Sequence, residues 1–229
     1  MKALAIDTTN NVLGIALVDE DIVIGEYITN LKKNHSVRAM PAIEKLLQDC
    51  DIAPNQLEKI IVATGPGSYT GVRIGVSIAK TLAWSLDIPI VGVSSLEILA
   101  ANGRFFNGFI SPLFDARRGQ VYTGLYQYDN NEVVCVESDQ NLLLTDWLKM
   151  LKEKNEDVLF IGNDVSLHRD LILTELGEKA VFGQVPLHNP RPSELAFLGL
   201  MKDTTDVHSL VPNYIRLAEA EAKWLEQQK

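Results

Sequence analysis

The chain has 229 residues, 46% hydrophobic and 22% charged, enough apolar material for a sizeable core and too much for a disordered or fibrous chain. Twenty-one Lys and Arg against thirty Asp and Glu leave a net charge of −9, which repels a phosphate backbone unless the cations gather on one face, so direct nucleic-acid binding by the isolated chain is not expected. Met1 to Asp7 is too short an apolar run for a secretory signal, and the longest apolar stretch, Ile74 to Leu86, contains Lys80 and falls short of the ~20 residues of a membrane span, so a cytoplasmic protein without membrane attachment is expected.

Three short strands are predicted first, over Ala3 to Ile6, Val12 to Val18 and Ile22 to Tyr27, with polar turns that make an antiparallel meander. From Ser36 to Cys50 apolar residues recur at Val37, Met40, Ile43, Leu46, Leu47 and Cys50, the stripe of a helix that either starts near Pro41 or bends there. Lys59 to Thr64 is a strand, Gly65 to Gly71 a glycine loop, and Val72 to Leu86 a second helix. Ile90 to Val93 is the next strand, and Ser94-Ser95-Leu96-Glu97 reads as a capping box opening a helix to about Ala101. A meander passing into strand-helix units implies a mixed sheet with helices on its faces.

After Asn102-Gly103 and Asn107-Gly108 the pattern restarts. Strands are predicted over Phe109 to Phe114, Gln120 to Tyr126 and Glu132 to Val136, then a helix from Thr145 to Leu151, a strand from Val158 to Gly162, and helices over His168 to Leu176 and Ser193 to Met201. Pro186, Pro190 and Pro192 mark a stiff connector, and a last helix is expected over Leu217 to Gln228. A strand closing on Asp115, then a turn and two more strands, repeats what residues 3 to 27 show around Asp7, so the chain reads as a degenerate duplication. Two units follow, 1–103 and 104–229, with the last helix a candidate to pack back on the first. Cys50 and Cys135 have no CxxC spacing and read as two free, buried thiols, and the histidines show no metal-ligand spacing.

The chemistry-bearing candidates are few. Gly65-Pro66-Gly67-Ser68-Tyr69-Thr70-Gly71 follows a strand and opens a helix, where backbone N–H groups can meet an anion. Val72 and Arg73 stand where a P-loop needs Lys and Ser or Thr; a dinucleotide fingerprint lacks its acid after Val93; and Pro66 and Thr70 exclude a nucleophile elbow at Ser68. An anion site and a tight turn for close helix packing both remain open. Asp7 and Asp115, at the ends of equivalent strands, either face each other across a cleft and hold a hydrated divalent ion or cap their own turns, with Arg117 and Arg118 as local partners of Asp115. The two helices over 36–50 and 72–86 carry apolar residues on more than one stripe, fitting either an intermolecular bundle or burial within the chain.

The run Gly65-Pro66-Gly67-Ser68-Tyr69-Thr70-Gly71-Val72-Arg73-Ile74-Gly75 closely resembles the bacterial TsaB family. Leu4-Ala5-Ile6-Asp7-Thr8, His35-Ser36, Val93-Ser94-Ser95-Leu96-Glu97, Asp115-Ala116-Arg117-Arg118-Gly119-Gln120-Val121-Tyr122 and Pro212-Asn213-Tyr214-Ile215-Arg216 extend the resemblance over nearly the whole chain. It implies an α/β fold of the actin-like, sugar-kinase-like (ribonuclease H-like) type, duplicated, with two mixed sheets flanked by helices. It implies a role in making threonylcarbamoyladenosine beside the tRNA anticodon, where the paralogue TsaD performs the transfer, TsaE is an ATPase, and TsaB pairs with TsaD through its two N-terminal helices. The partner-binding side chains expected here are His35, Met40, Ile43, Leu47, Val72, Ile78 and Leu82, and the candidate anion or nucleotide loop comprises Asp7, Thr8, Gly65, Gly67, Ser68, Asp115 and Arg117. No cofactor of its own is expected, a nucleotide (ATP or ADP) belonging instead to the heterodimer junction, and a homodimer is the expected form when TsaD is absent. TsaD-like proteins carry a metal-binding histidine pair where this chain has Ser95 and Leu99, which favours a non-catalytic subunit over the rival reading, a nucleotide-dependent phosphotransferase or ATPase. A peptidase finds no triad.

Overall fold

Strands β1 (Lys2–Asp7), β2 (Val12–Asp19) and β3 (Ile22–Asn30) form the antiparallel meander, with β1 and β2 in register from Lys2 opposite Asp19 to Asp7 opposite Gly14. Residues 3–7 and 12–18 are buried without alternation, which requires that both faces of the sheet be covered. Parallel strands β4 (Lys59–Ala63) and β5 (Ile90–Val93) complete the order β3-β2-β1-β4-β5. Helices α1 (Ala39–Asp49) and α2 (Tyr69–Leu86) cover one face, packing Ile43, Leu46, Val76 and Ala79 against Leu4, Ile6, Leu13, Ile15 and Leu17. The computed structural model describes residues 1–215, so the helix expected over Leu217 to Gln228 lies outside the described residues.

The second half repeats the plan. Strands β6 (Phe109–Asp115), β7 (Gln120–Asp129), β8 (Glu132–Leu143), β9 (Val158–Ile161) and β10 (Ala180–Phe182) lie in the order β10-β9-β6-β7-β8, which, counted from the first strand of each half, is the order of the first sheet. Helices α4 (Leu144–Lys154) and α5 (Val165–Leu176) build its core around the fully buried Trp147.

The third helix of each half crosses over. Leu96, Leu99 and Ala100 of α3 (Ser95–Ala101), which follows the first sheet in sequence, pack on Ile110, Phe114 and Tyr126 of the second. Leu195 and Ala196 of α6 (Pro192–Leu200), which follows the second sheet, pack on Ala3, Ala5, Ala16 and Ile61 of the first. Alanines on that face let the α6 backbone approach, and a Cβ on Gly199 would stand 2.3 Å from Ile61 Cγ2. Full burial of a side chain such as Leu195 stabilises by about 1.5–3 kcal/mol, so each half is held partly by a helix that the other supplies.

Several boundaries differ from the sequence expectation for local reasons. A 3-10 turn over His35–Val37, capped by Asn34, precedes α1, so Pro41 falls in the first turn, where no donor is needed. Helix α2 starts at Tyr69 rather than Val72 because Ser68 Oγ accepts from Gly71 N at 3.3 Å. Only half of the capping box forms: Ser94 Oγ caps α3, but the Glu97 carboxylate pairs with Lys202 Nζ at 2.9 Å. Strand β8 runs on through polar residues to Leu143 because β7 pairs with it that far. Both cysteines are free; Cys50 is half-buried, whereas Cys135 is exposed, correcting the expectation of two buried thiols, because β8 is the outer strand of its sheet.

Candidate functional site

The glycine loop is built against the turn between β1 and β2. Ser68 N donates to Thr9 O at 2.7 Å, and Thr8 Oγ1 donates to Gly71 O at 2.7 Å. A Cβ at Gly67 or Gly71 would lie 2.2 Å from the carbonyl oxygen of Thr9 or Thr8, and one at Gly75 would lie 2.5 Å from Thr8 Oγ1. Close packing therefore accounts for these glycines. Gly65 has a φ of +101°, in the left-handed region, and its carbonyl accepts from Ser95 N at 2.9 Å.

Asp7 is 1% exposed, and its Oδ1 accepts from Thr9 N at 2.8 Å and Thr9 Oγ1 at 2.7 Å. It caps its own turn and does not look across a cleft at Asp115. Its Oδ2 is buried without a partner among the described residues, and burial pushes the carboxyl up, against the hydrogen bonds from Thr9. Asp115 pairs through Oδ1 with His168 Nε2 at 3.1 Å, while its backbone N–H donates to Asp164 Oδ2 at 3.0 Å, so His168 takes the place expected of the neighbouring arginines.

A cleft of about 1130 Å³ lies between these two turns and takes lining from both halves, including Thr9, Asn10, Gly67, Ser68, Asp115 and Arg117. His35, 9% exposed, stands in its wall with Nε2 donating to Asn10 O at 2.7 Å. Tyr69 and Tyr214 stack beside it, ring centroids 5.2 Å apart.

The second feature is a groove of about 860 Å³ between α1 and α2, lined by Met40, Pro41, Ile43, Leu47, Leu82 and Leu86 among others. Met40 is 43% exposed, and Ile78 and Leu82 are half-buried. Ile43 and Leu47 form the groove floor and belong to the core, whereas Val72 is buried under α2 and His35 belongs to the cleft. Trp84, 68% exposed on α2, and the lining residues Pro41 and Leu86 are not among the partner-binding side chains expected from the sequence. An apolar period locates a helix but cannot tell its buried face from a second, open one.

Ser95 and Leu99 are fully buried, Leu99 in the apolar layer between α3 and the second sheet. Among the described residues no three His, Cys, Asp or Glu side chains group as metal ligands, and no helix is long and apolar enough to cross a membrane.

Two sheets of one strand order, exchanged helices and a cleft fed by equivalent turns define a duplicated α/β protein with a cleft between its halves. A family model described as TsaD, tRNA N6-adenosine threonylcarbamoyltransferase, matches residues 23–224. The chain is 69% identical over 229 residues to the tRNA threonylcarbamoyladenosine biosynthesis protein TsaB of Bacillus subtilis (strain 168), covering 100% of both chains. It is 34% identical over 145 residues to the protein of that name from Escherichia coli (strain K12), covering 62% of each. A solved Pseudomonas aeruginosa structure, described as an uncharacterized protein with similarity to peptidase YEAZ, shares the fold with a TM-score of 0.76 at 24% identity, over 94% of this chain and 99% of that one. The chain belongs to the TsaB family of tRNA threonylcarbamoyladenosine biosynthesis proteins.

Proposed function

We propose that the chain is a non-catalytic scaffolding subunit that pairs with TsaD in the cytoplasm and biases it toward its active conformation during threonylcarbamoyl transfer to tRNA. The observation that carries the reading is the apolar groove between α1 and α2, which stays open although the same helices already cover their own sheet. Met40 and Leu82 line that groove, whereas Ile78, half-buried on α2, packs against the core and does not line it. TsaE joins the larger assembly, a nucleotide sits at the junction of the heterodimer, and the groove pairs two copies of the chain when TsaD is absent. The absence of catalysis is supported by the burial of Ser95 and Leu99 and by Asp7 being turned into its own loop. The fold is read as two units, 1–103 and 104–229, with the partner helices in the first.

Co-elution of the purified chain with TsaD tests the reading. Met40→Glu and Leu82→Glu should each weaken the complex at least about tenfold, because a charge at the centre of an apolar contact is desolvated without a partner; the thermal melt of Met40→Glu stays close to that of the wild type, whereas Leu82→Glu also lowers it, since Leu82 packs on the core. Unchanged co-elution for both folded variants rejects it.

A further inference from the structure

The net charge of −9 disfavours a polyanion only if the cations are spread out, and the fold gathers several of them. Lys32 and Lys33 follow β3, and Arg117 lies in the turn between β6 and β7, so they come from different halves of the chain, yet all three are exposed and line the cleft of about 1130 Å³. Arg118 lines it as well. The carboxylates on the same wall, Asp115 and Asp164, are engaged internally, Asp115 by His168 Nε2 at 3.1 Å and Asp164 by the Asp115 N–H at 3.0 Å.

Two further features point to the class of ligand. The stacked rings of Tyr69 and Tyr214, 51% and 45% exposed, stand at this cleft and offer a π surface to an incoming base. In the wall, Asn10 Nδ2 and His35 Nδ1 are buried with no partner among the described residues, although buried polar nitrogens are ordinarily hydrogen-bonded. We infer that the cleft holds an unpaired stretch of RNA, with Lys32, Lys33 and Arg117 on its phosphates and a base against the tyrosine pair.

A strand fits better than a free nucleotide. The lysines and tyrosines are open to solvent, where a chain can run on past them. The loop N–H groups of Ser68 and Gly71, which would cradle a terminal phosphate, already bond Thr9 O and Ser68 Oγ. The cleft and the α1–α2 groove share no lining residue, so this inference stands apart from the docking reading and can fail without it.

The test is fluorescence anisotropy of the full chain at low salt with a labelled RNA hairpin carrying an unpaired loop, a fully paired duplex as control, and ADP as competitor. The hairpin should bind more tightly than the duplex. Lys32→Ala combined with Lys33→Ala should flatten the log–log salt slope by roughly 1.4, and Tyr69→Ala should weaken binding about tenfold, with thermal melts and TsaD co-elution unchanged. Absence of hairpin binding by the wild type overturns the inference, as does a salt slope and affinity untouched by the substitutions. Displacement of the hairpin by ADP at concentrations comparable to the RNA's own would assign the cleft to a free nucleotide instead and equally overturn it.

Discussion

A methyl group at Gly71 would put its carbon 2.2 Å from the Thr8 carbonyl, far inside contact distance and against backbone rather than a movable side chain. Alanine ordinarily gains about 1 kcal/mol over glycine within a helix, but here overpacking should dominate: Gly71→Ala is expected to cost about 1–3 kcal/mol net in urea unfolding. Glu26 shows the opposite kind of economy, one carboxylate serving several donors. Its Oε1 accepts from Ser193 N at 3.0 Å and Ser193 Oγ at 2.7 Å, and its Oε2 from Arg191 Nη2 at 2.7 Å, so a side chain of β3 caps α6, whose own cap residue, Arg191, makes no such bond. Burial pushes the Glu26 carboxyl up, and the bonds from Arg191 and Ser193 outweigh it, holding it below the usual glutamate range. An acid held low in the folded state contributes stability above its unfolded pKa and loses that contribution as pH falls through the folded value. Glu26→Ala should therefore cost about 1–3 kcal/mol at neutral pH, with the gap to wild type closing in denaturant titrations below the ordinary glutamate range. The pairing of Glu26 with α6 was not legible in the sequence, since 165 residues separate it from Arg191 and no spacing rule links them.

Elements were readable where a local rule sets them. Helix α3 follows from Ser94, whose Oγ accepts from Leu96 N at 3.1 Å and Glu97 N at 3.3 Å. That hydroxyl also donates to the Asp139 carboxylate, to which Tyr126 donates as well, so one side chain caps a helix and ties it to β8. Burial pushes the Asp139 carboxyl up, opposed by those two donors. Ser94→Ala removes the cap and one partner of a mostly covered acid, and about 1–3 kcal/mol should be lost in thermal or urea melts, with Ser94→Thr recovering part of it. The polar continuation of β8 and the three-residue β10 escaped prediction because neither has the alternation or length of a free-standing strand; each exists through pairing with a neighbour. In the candidate site, the loop over Gly65–Gly71 was legible as either an anion site or a close-packed turn, and the sequence could not choose between them because the Thr8 and Thr9 carbonyls that press on it belong to a distant turn.

For the whole molecule, the exchange of α3 and α6 has the largest consequence. Glu26 with Arg191, Ser94 with Asp139, Arg104 with Glu194, and Asn30 with Asn163 and Asn189 add polar ties to these apolar contacts. Two halves that each lend a helix to the other should not melt independently. Leu195→Ala is expected to lower stability by about 2–5 kcal/mol and to shift far-UV dichroism and the fluorescence of Trp147, in the second core, by the same amount, although Leu195 packs on the first sheet. Separate transitions for the two signals would contradict this coupling. The amino-acid sequence alone determined the alternation of strands and helices, the duplicated plan and the family, since periodicity, caps and motif runs are local patterns. Only the tertiary structure decided which helix covers which sheet, which apolar faces stay open, and which cations share a cleft. Those properties depend on contacts between residues remote in the chain, and a face is buried or exposed only with respect to what lies opposite it.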